Sequence, residues 1–207
     1  MTTRVKICGV TTVEQAVACV DLGADAVGVN FVASSPRRVG ERLAGAVVEA
    51  VGQRALVVGV VAGMTVEGMR ALVERTGVGC LQLHGDESGA DVSALLPHAY
   101  KSVRVASAAD VAAAARMPGD YVMVDAKVPG ALGGTGHAFD WSLVVALARQ
   151  RKLVLAGGLT PENVRSAVEL VDPWCVDVAS GVESSPGVKD LGRVRAFVEA
   201  ARTRSAK

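Results

Sequence analysis

The sequence predicts an α/β protein whose eight βα units close into a (β/α)8 barrel, or TIM barrel, as a single domain over residues 1–207. Short apolar segments alternate with helical patterns along the chain, which indicates parallel strands joined by right-handed crossovers. The last two predicted strands run into the glycine turns Gly157-Gly158 and Ser180-Gly181. A phosphate site commonly follows strands seven and eight of such a barrel.

The predicted strands are short runs rich in valine, leucine and isoleucine that end at turn residues. In chain order they cover residues 4–8, 25–31, 55–61, 80–84, 100–105, 121–125, 153–156 and 174–178. A doubly wound open sheet is the second possibility. That fold more often carries G-x-G-x-x-G after its first strand, and this sequence lacks it.

The predicted helices occupy the intervals between the strands, and several begin at a residue whose side chain can accept a hydrogen bond from the first turn. One helix is expected to start at Thr160, with Pro161 in the first helical position. The other predicted helices run from Thr11 or Thr12 to about 22, over 41–51, from Thr65 to about 75, after the turn at 85–87 to an end near 96, from Ser107 to 116, from Asp140 onwards, and over 190–202.

Composition excludes several classes of protein. The net charge is +1 and aromatic residues are only 3% of the chain, so we expect no nucleic-acid partner. No apolar run approaches the ~20 residues that a membrane span needs, and the amino terminus has no signal-peptide layout. The four cysteines are widely separated, which predicts neither a metal site nor disulfides and suits a cytoplasmic protein.

Strand ends supply the candidate catalytic groups, because active sites of these barrels lie at the carboxyl ends of the strands. Side chains alternate along a strand, so residues of one parity point into the barrel. This rule brings four reactive groups to one mouth, and a loop arginine could reach over them: Cys8, His84, Asp125, Asp177 and Arg37.

Each of these groups also has a structural interpretation. Asp177 could pair with Lys6 inside the barrel, because an unpaired buried charge is costly. Asp125 could hold its own loop in place, and His84 could be a satisfied structural histidine. Cys8 differs from the other cysteines, since it ends a strand and precedes a glycine, and a nearby cation such as Lys6 would favour its thiolate.

Six motifs, in order along the chain, resemble the motif set of the phosphoribosylanthranilate isomerase family. They are KICGVT at 6–11, SPRRV at 35–39, LQLHGDE at 81–87, VDAK and GGTGHAFDW within 124–141, LAGGLTPENV at 155–164, and VDVASGVESSPGVKD at 176–190. The resemblance implies a (β/α)8 barrel that needs no cofactor and takes part in tryptophan biosynthesis. It allows a monomer or a homodimer.

The reaction that the resemblance implies is an Amadori rearrangement of a phosphorylated aminosugar, N-(5-phosphoribosyl)anthranilate. Asp125 matches the family's general acid, and Cys8 matches its general base. Arg37 matches the contact to the anthranilate carboxylate, Asp177 matches a residue near the anthranilate amine, and His84 is placed with the substrate-binding residues. The expected phosphate-binding residues are Gly134, Gly136, Gly157, Gly158, Ser180 and Gly181.

Two other functions remain possible at this point. One is a related sugar isomerase of histidine biosynthesis, or a bifunctional form. Such barrels are expected to have two similar halves and a pair of catalytic aspartates, whereas here the first strand ends in Cys8. A non-catalytic phosphosugar-binding barrel would need a damaged acid or base, and both positions are intact. An aldolase would need an inward lysine at a strand end, but Lys6 lies deeper than Cys8.

Overall fold

Eight parallel strands hydrogen-bond in sequence order and close into a barrel, as predicted. A computed structural model of the chain describes residues 2–125 and 140–203. The barrel strands are β1 Arg4–Cys8, β2 Ala26–Asn30, β3 Leu56–Val61, β4 Cys80–Leu83, β5 Ala99–Arg104, β6 Tyr121–Asp125, β7 Lys152–Ala156 and β8 Cys175–Val178. All eight predicted strands are present, and none of their ends is shifted by more than one residue.

The helices lie outside the barrel and alternate with its strands. They are α1 Val13–Asp21, α2 Glu41–Val51, α3 Val66–Thr76, α4 Gly89–Leu95, α5 Ala108–Ala115, α6 Val145–Gln150, α7 Val164–Val171 and α8 Leu191–Arg202. Short 3-10 turns occupy Trp141–Val144 and Ser180–Val182. An antiparallel hairpin that the sequence pattern did not reveal, β9 Glu183–Ser185 and β10 Val188–Lys189, follows β8. Among the described residues, the helices are too short or too polar to cross a membrane.

Several predicted helix starts are confirmed by their capping hydrogen bonds. Thr12, Thr65 and Ser107 each accept a backbone N–H from the first turn of the helix that follows. The predicted start at Thr160 is wrong, because α7 begins at Val164. Asn163 instead closes a loop turn: its Oδ1 accepts the Thr160 N–H at 2.8 Å, and its Nδ2 donates to the Gly158 carbonyl at 2.9 Å.

The main hydrophobic core lies between the barrel and its helices, and a smaller cluster fills the barrel interior. On β1, Val5 and Ile7 face the outer core, while Lys6 and Cys8 have the opposite parity and face inwards. The interior cluster consists of Ala26, Val58, Tyr100, Met123, Val154, Ala156 and Cys175. This apolar layer lies below the carboxyl ends of the strands, so the barrel is a packed core and not an open channel.

A buried ion pair crosses the seam where β1 meets β8. Lys6 and Asp177 are register partners there, and the Lys6 ammonium lies 2.7 Å from the Asp177 carboxylate. Lys6 also donates to Gln82 Oε1 at 2.9 Å, and the Tyr100 hydroxyl donates to the same oxygen at 3.0 Å. Burial alone would lower the pKa of Lys6, but the Asp177 carboxylate beside it raises that pKa well above its ordinary value. The ammonium therefore stays charged, and the predicted Lys6–Asp177 pair is confirmed.

We expect Lys6→Met to lower the free energy of unfolding by about 3–5 kcal/mol, because it leaves the Asp177 carboxylate buried without its partner. Lys152→Met is the matched control, since Lys152 also lies on a barrel strand and pairs with an aspartate, Asp120, but both side chains are exposed. Urea unfolding followed by circular dichroism measures both changes. Equal effects of the two substitutions would contradict a special role for the buried pair.

Candidate active site

One cavity of about 530 Å³ opens at the carboxyl ends of the strands, and it collects the predicted site residues. All nine of them that the structure describes line this cavity: Cys8, Arg37, His84, Asp125, Gly157, Gly158, Asp177, Ser180 and Gly181. The two remaining predictions, Gly134 and Gly136, lie outside the described residues. The parity rule that selected the strand-end side chains therefore placed them around a common space.

Cys8 is the last residue of β1 and is 8% exposed. It pairs with Gly28 on β2, and this glycine makes room for the thiol: a Cβ at Gly28 would lie 2.7 Å from Cys8 Sγ and 3.3 Å from Lys6 Nζ. Burial raises the pKa of the Cys8 thiol above its ordinary value. The Lys6 ammonium opposes that shift, and the Asp177 carboxylate adds to it. The raised pKa therefore favours the protonated thiol, which cannot act as a base until its surroundings favour the thiolate.

Asp125 ends β6, which β7 and β8 separate from β1 on one side of the closed barrel. Its carboxyl is partly exposed and lines the cavity. It lies close enough to His84 to oppose the effect of burial on the imidazole. A carboxyl group and a thiol therefore approach one cavity from different sides of the barrel, which suits two proton transfers at separate atoms of one ligand.

His84 follows β4 immediately, and its Nδ1 lies 3.1 Å from Ser102 Oγ and 3.4 Å from Gln82 Nε2. Burial lowers the pKa of the imidazole below its ordinary value, although Asp125 acts in the opposite direction. The ring is therefore neutral at pH 7. Because Nδ1 is held by protein groups, a ligand contact from His84 would use Nε2.

Arg37 is held by a network that continues into the unpredicted hairpin. Its Nε and Nη2 donate to Glu183 Oε1 and Oε2 at 2.8 and 2.6 Å. Lys189 donates to Glu183 Oε1 at 2.7 Å and to the Cys8 carbonyl at 2.6 Å. Burial alone would raise the pKa of Glu183, but the hydrogen bonds from Arg37 and Lys189 outweigh it and hold that pKa below its ordinary value. Glu183 is therefore ionised.

The glycine turn after β7 has backbone conformations that other residues rarely adopt, and it packs against the turn after β8. Gly157 and Gly158 have φ values of 93° and 66°. A Cβ at Gly181 would collide with the backbone carbonyl of Leu159, so the two turns pack directly against each other. Backbone N–H groups without side chains in the way can approach an anion closely. The arrangement fits the predicted phosphate cradle.

Comparison with known proteins identifies the family. A family model described as N-(5'phosphoribosyl)anthranilate (PRA) isomerase matches residues 5–200. The chain belongs to this family. An N-(5'-phosphoribosyl)anthranilate isomerase of Pseudomonas aeruginosa strain UCBPP-PA14 is 44% identical over 203 residues, which is 97% of this chain and 96% of that protein.

Solved structures of phosphoribosylanthranilate isomerases superpose on the barrel. The enzyme from Thermotoga maritima has a TM-score of 0.89 at 36% identity, with 97% of this chain and 98% of that chain covered. A phosphoribosyl anthranilate isomerase in complex with reduced 1-(o-carboxyphenylamino)-1-deoxyribulose 5-phosphate has a TM-score of 0.86 at 34% identity, with the same coverage. Both matches confirm the predicted fold and family.

Residues of the site that sequence reasoning missed belong to the second layer around these groups. Nothing in the sequence distinguishes Gly28 from other strand residues, but the absence of a side chain there leaves space for the Cys8 thiol. Glu183 and Lys189 stood within a quoted motif, but their partners Arg37 and Cys8 are far away in sequence. The one usable signal was the presence of two opposite charges in a segment directly after the phosphate turn. Within the described residues, no group of histidine, cysteine, aspartate and glutamate side chains is arranged to hold a metal ion.

We expect Asp177→Asn to lower the pKa of the Cys8 thiol, because it removes a carboxylate that raises this pKa. The amide keeps the shape of the side chain. The measurement is the rate of alkylation of Cys8 by iodoacetamide as a function of pH, followed by mass spectrometry of its peptide. Because each peptide is followed separately, the Cys8 profile is distinguished from those of Cys19 and Cys80, whose pKa burial raises to about 11.

Asp120→Asn is the control for this titration, since Asp120 is exposed and pairs with Lys152 on the outside of the barrel. It should leave the Cys8 profile in place. A Cys8 profile that stays unchanged, or moves to higher pH, in Asp177→Asn would contradict the electrostatic assignment.

Proposed function

We propose that this chain converts N-(5-phosphoribosyl)anthranilate to 1-(2-carboxyphenylamino)-1-deoxyribulose 5-phosphate, an aldose–ketose isomerisation of tryptophan biosynthesis. One observation carries the assignment: in a chain of this family, Cys8 and Asp125 line the same cavity as the glycine turns. An acid, a base and an anion cradle within one space of about 530 Å³ suit a phosphorylated substrate of this size.

Asp125 acts first as the general acid. It transfers a proton to the furanose ring oxygen, the bond between C1 and that oxygen breaks, and the nitrogen lone pair forms a C1=N bond. The product of this step is an open-chain protonated Schiff base. A carboxyl group at a partly buried strand end can serve as such a donor when its surroundings favour the protonated form.

Cys8 then acts as the general base. It removes the proton from C2, and the electrons of the C2–H bond move into a C1–C2 double bond while the iminium nitrogen is neutralised. The resulting enolamine tautomerises to the ketone as C1 gains a proton and the hydroxyl on C2 loses one. The positive iminium near the thiol favours the thiolate, and so it offsets the burial that raises the pKa of Cys8 in the ligand-free site.

The remaining side chains of the cavity hold the two ends of the substrate. Arg37 binds the anthranilate carboxylate, which a guanidinium matches with two parallel hydrogen bonds. Asp177 lies near the anthranilate amine, and His84 contacts the sugar through Nε2. The turns at Gly157-Gly158 and Ser180-Gly181, with Gly134 and Gly136, bind the phosphate through backbone N–H groups. No cofactor takes part in the proposed steps.

We propose further that the enzyme works in the cytoplasm, as a monomer or a homodimer. All four cysteines are free thiols, which suits a reducing compartment. Light scattering on the purified protein separates the two oligomeric states.

We expect the wild-type protein to consume freshly prepared N-(5-phosphoribosyl)anthranilate, and Cys8→Ser and Asp125→Asn each to reduce kcat by roughly a hundredfold or more, as removal of a general acid or base does. The loss of the substrate's fluorescence reports the reaction. Asp91→Asn is the control for the amide substitution, because Asp91 caps the exposed start of α4.

Full activity in Asp125→Asn would overturn the assignment of the acid while leaving the reaction intact. An inactive wild-type protein would overturn the reaction itself. In that case the aminoaldose of histidine biosynthesis is the next substrate, and binding of a product analogue without turnover would indicate a phosphosugar-binding barrel.

We expect Gly28→Ala to reduce kcat by about ten- to a hundredfold, because the added methyl would displace Cys8 Sγ from its position beside the substrate. Gly45→Ala is the control, since Gly45 lies within α2 and an added Cβ there has ordinary contacts only. Steady-state kinetics with both variants measures the effect. An unchanged kcat in Gly28→Ala would show that the position of the thiol tolerates this shift.

A further inference from the structure

Glu183 and Lys189 belong to no step of the proposed reaction, yet both are buried beside groups that do. The side chain of Glu183 is 4% exposed and that of Lys189 is fully buried. They face each other across the hairpin of β9 and β10 as register partners, with 2.7 Å between ammonium and carboxylate. Burying two charges is expensive, so the pair needs further partners to be tolerated.

Those partners are the ends of two barrel strands and Arg37. Lys189 uses its three N–H groups on Glu183 Oε1, the Cys8 carbonyl at 2.6 Å and the Ala179 carbonyl at 3.2 Å. The ammonium thereby ties the hairpin to the end of β1 and to the turn after β8. The hairpin is also tied to the loop after β1, where the Thr11 hydroxyl donates to the Gly187 carbonyl at 2.6 Å. Glu183 is thus a rigidly held carboxylate.

The geometry of the Arg37–Glu183 pair determines which edge of the guanidinium is available. Glu183 takes the side edge, Nε and Nη2, at 2.8 and 2.6 Å. A guanidinium has five N–H groups, and the three that remain belong to Nη1 and to the second position on Nη2. One N–H on each of Nη1 and Nη2 points along the end edge, which can bind a second carboxylate with two parallel hydrogen bonds.

Gly9 fixes the aliphatic part of the same side chain. A Cβ on Gly9 would collide with Arg37 Cδ, so the arginine stem lies directly against the backbone that follows Cys8. Gly9 has a φ of 78°, a conformation that glycine adopts readily. With Glu183 on one edge and Gly9 under the stem, Arg37 is 20% exposed at its side chain and faces the cavity.

We propose that Glu183 is a positioning residue that orients Arg37, so that the end edge of the guanidinium is prepared to bind the substrate carboxylate. The inference rests on the proposed function, since it concerns the carboxylate end of that substrate. Holding the arginine in its bound conformation before the substrate arrives avoids the entropy cost of ordering a long side chain on binding. Lys189 supports Glu183 and keeps it ionised.

The test uses two ligands that differ only in the carboxylate. One is the reduced product analogue, 1-(2-carboxyphenylamino)-1-deoxyribitol 5-phosphate, and the other is its phenylamino counterpart. We expect Glu183→Gln to raise the Kd of the carboxylated ligand by roughly three- to tenfold and to leave the Kd of the phenylamino ligand unchanged. In turnover the variant should raise KM and change kcat little.

Two further variants separate positioning from a general loss of structure. Glu183→Asp keeps the charge that Lys189 needs but withdraws the carboxylate from Arg37, and it should show the same ligand selectivity. In an Arg37→Met background, Glu183→Gln should have no additional effect on the carboxylated ligand. Glu41→Gln is the matched control, because Glu41 binds Arg75 with the same side-on geometry on the exposed surface between α2 and α3.

Several results would overturn the proposal. Equal weakening of both ligands would mean that Glu183 only maintains the cavity, and tighter binding of the carboxylated ligand would mean that it competes with substrate for Arg37. Additive effects in the Arg37→Met background would place its action elsewhere. A wild-type protein that neither binds the carboxylated ligand nor turns over the substrate would overturn the proposed function and this inference together, whereas normal turnover without ligand selectivity would overturn the inference alone.

Discussion

The buried pair of Lys6 and Asp177 is the interaction on which the site depends. It joins the first and last strands of the barrel at their closure, and it lies directly beneath Cys8. A charged pair in this position is tolerated because Gln82 supplies a further acceptor to the ammonium, and Tyr100 donates to that same acceptor. Asp177 and Gln82 therefore present polar atoms to the cavity from fixed positions.

Two other buried lysines, at the strand ends, likewise pair with a carboxylate and donate to further acceptors. Lys189 donates to the carbonyls of Cys8 and Ala179 and to the Glu183 carboxylate. Lys101 donates to the carbonyls of Leu83 and Gly85 and to the Glu87 carboxylate. Each ammonium satisfies carbonyls that lie where regular strand pairing ends. The loops that carry ligand-binding groups thus begin from fixed points, which is how a rigid scaffold can present precise chemistry on irregular segments.

The sequence predicted the barrel well because its signals are local. Alternating apolar runs and capping residues such as Thr65 and Ser107 depend on neighbours within a few positions, and the parity of strand residues follows from the pleat. The predicted start of α7 failed for a local reason as well, since the Asn163 side chain accepts the Thr160 N–H and forms a loop turn ahead of the helix. The hairpin at 183–189 could not be predicted, because short strands with buried charges resemble a loop until their distant partners are known.

The same distinction applies within the site. Cys8 and Asp125 were accessible to prediction because a strand end defines their position, whereas Glu183 acquires its meaning only from Arg37, which lies 146 positions away in the chain. The base illustrates why these distant contacts matter. Burial raises the pKa of the Cys8 thiol and so disfavours the thiolate that would act as the base. The Lys6 ammonium lowers this pKa, and the Asp177 carboxylate raises it again. In the proposed reaction, the positive charge that forms on the substrate after ring opening completes the balance. The thiol then becomes reactive when the intermediate is in place, and it stays protonated when the cavity is empty.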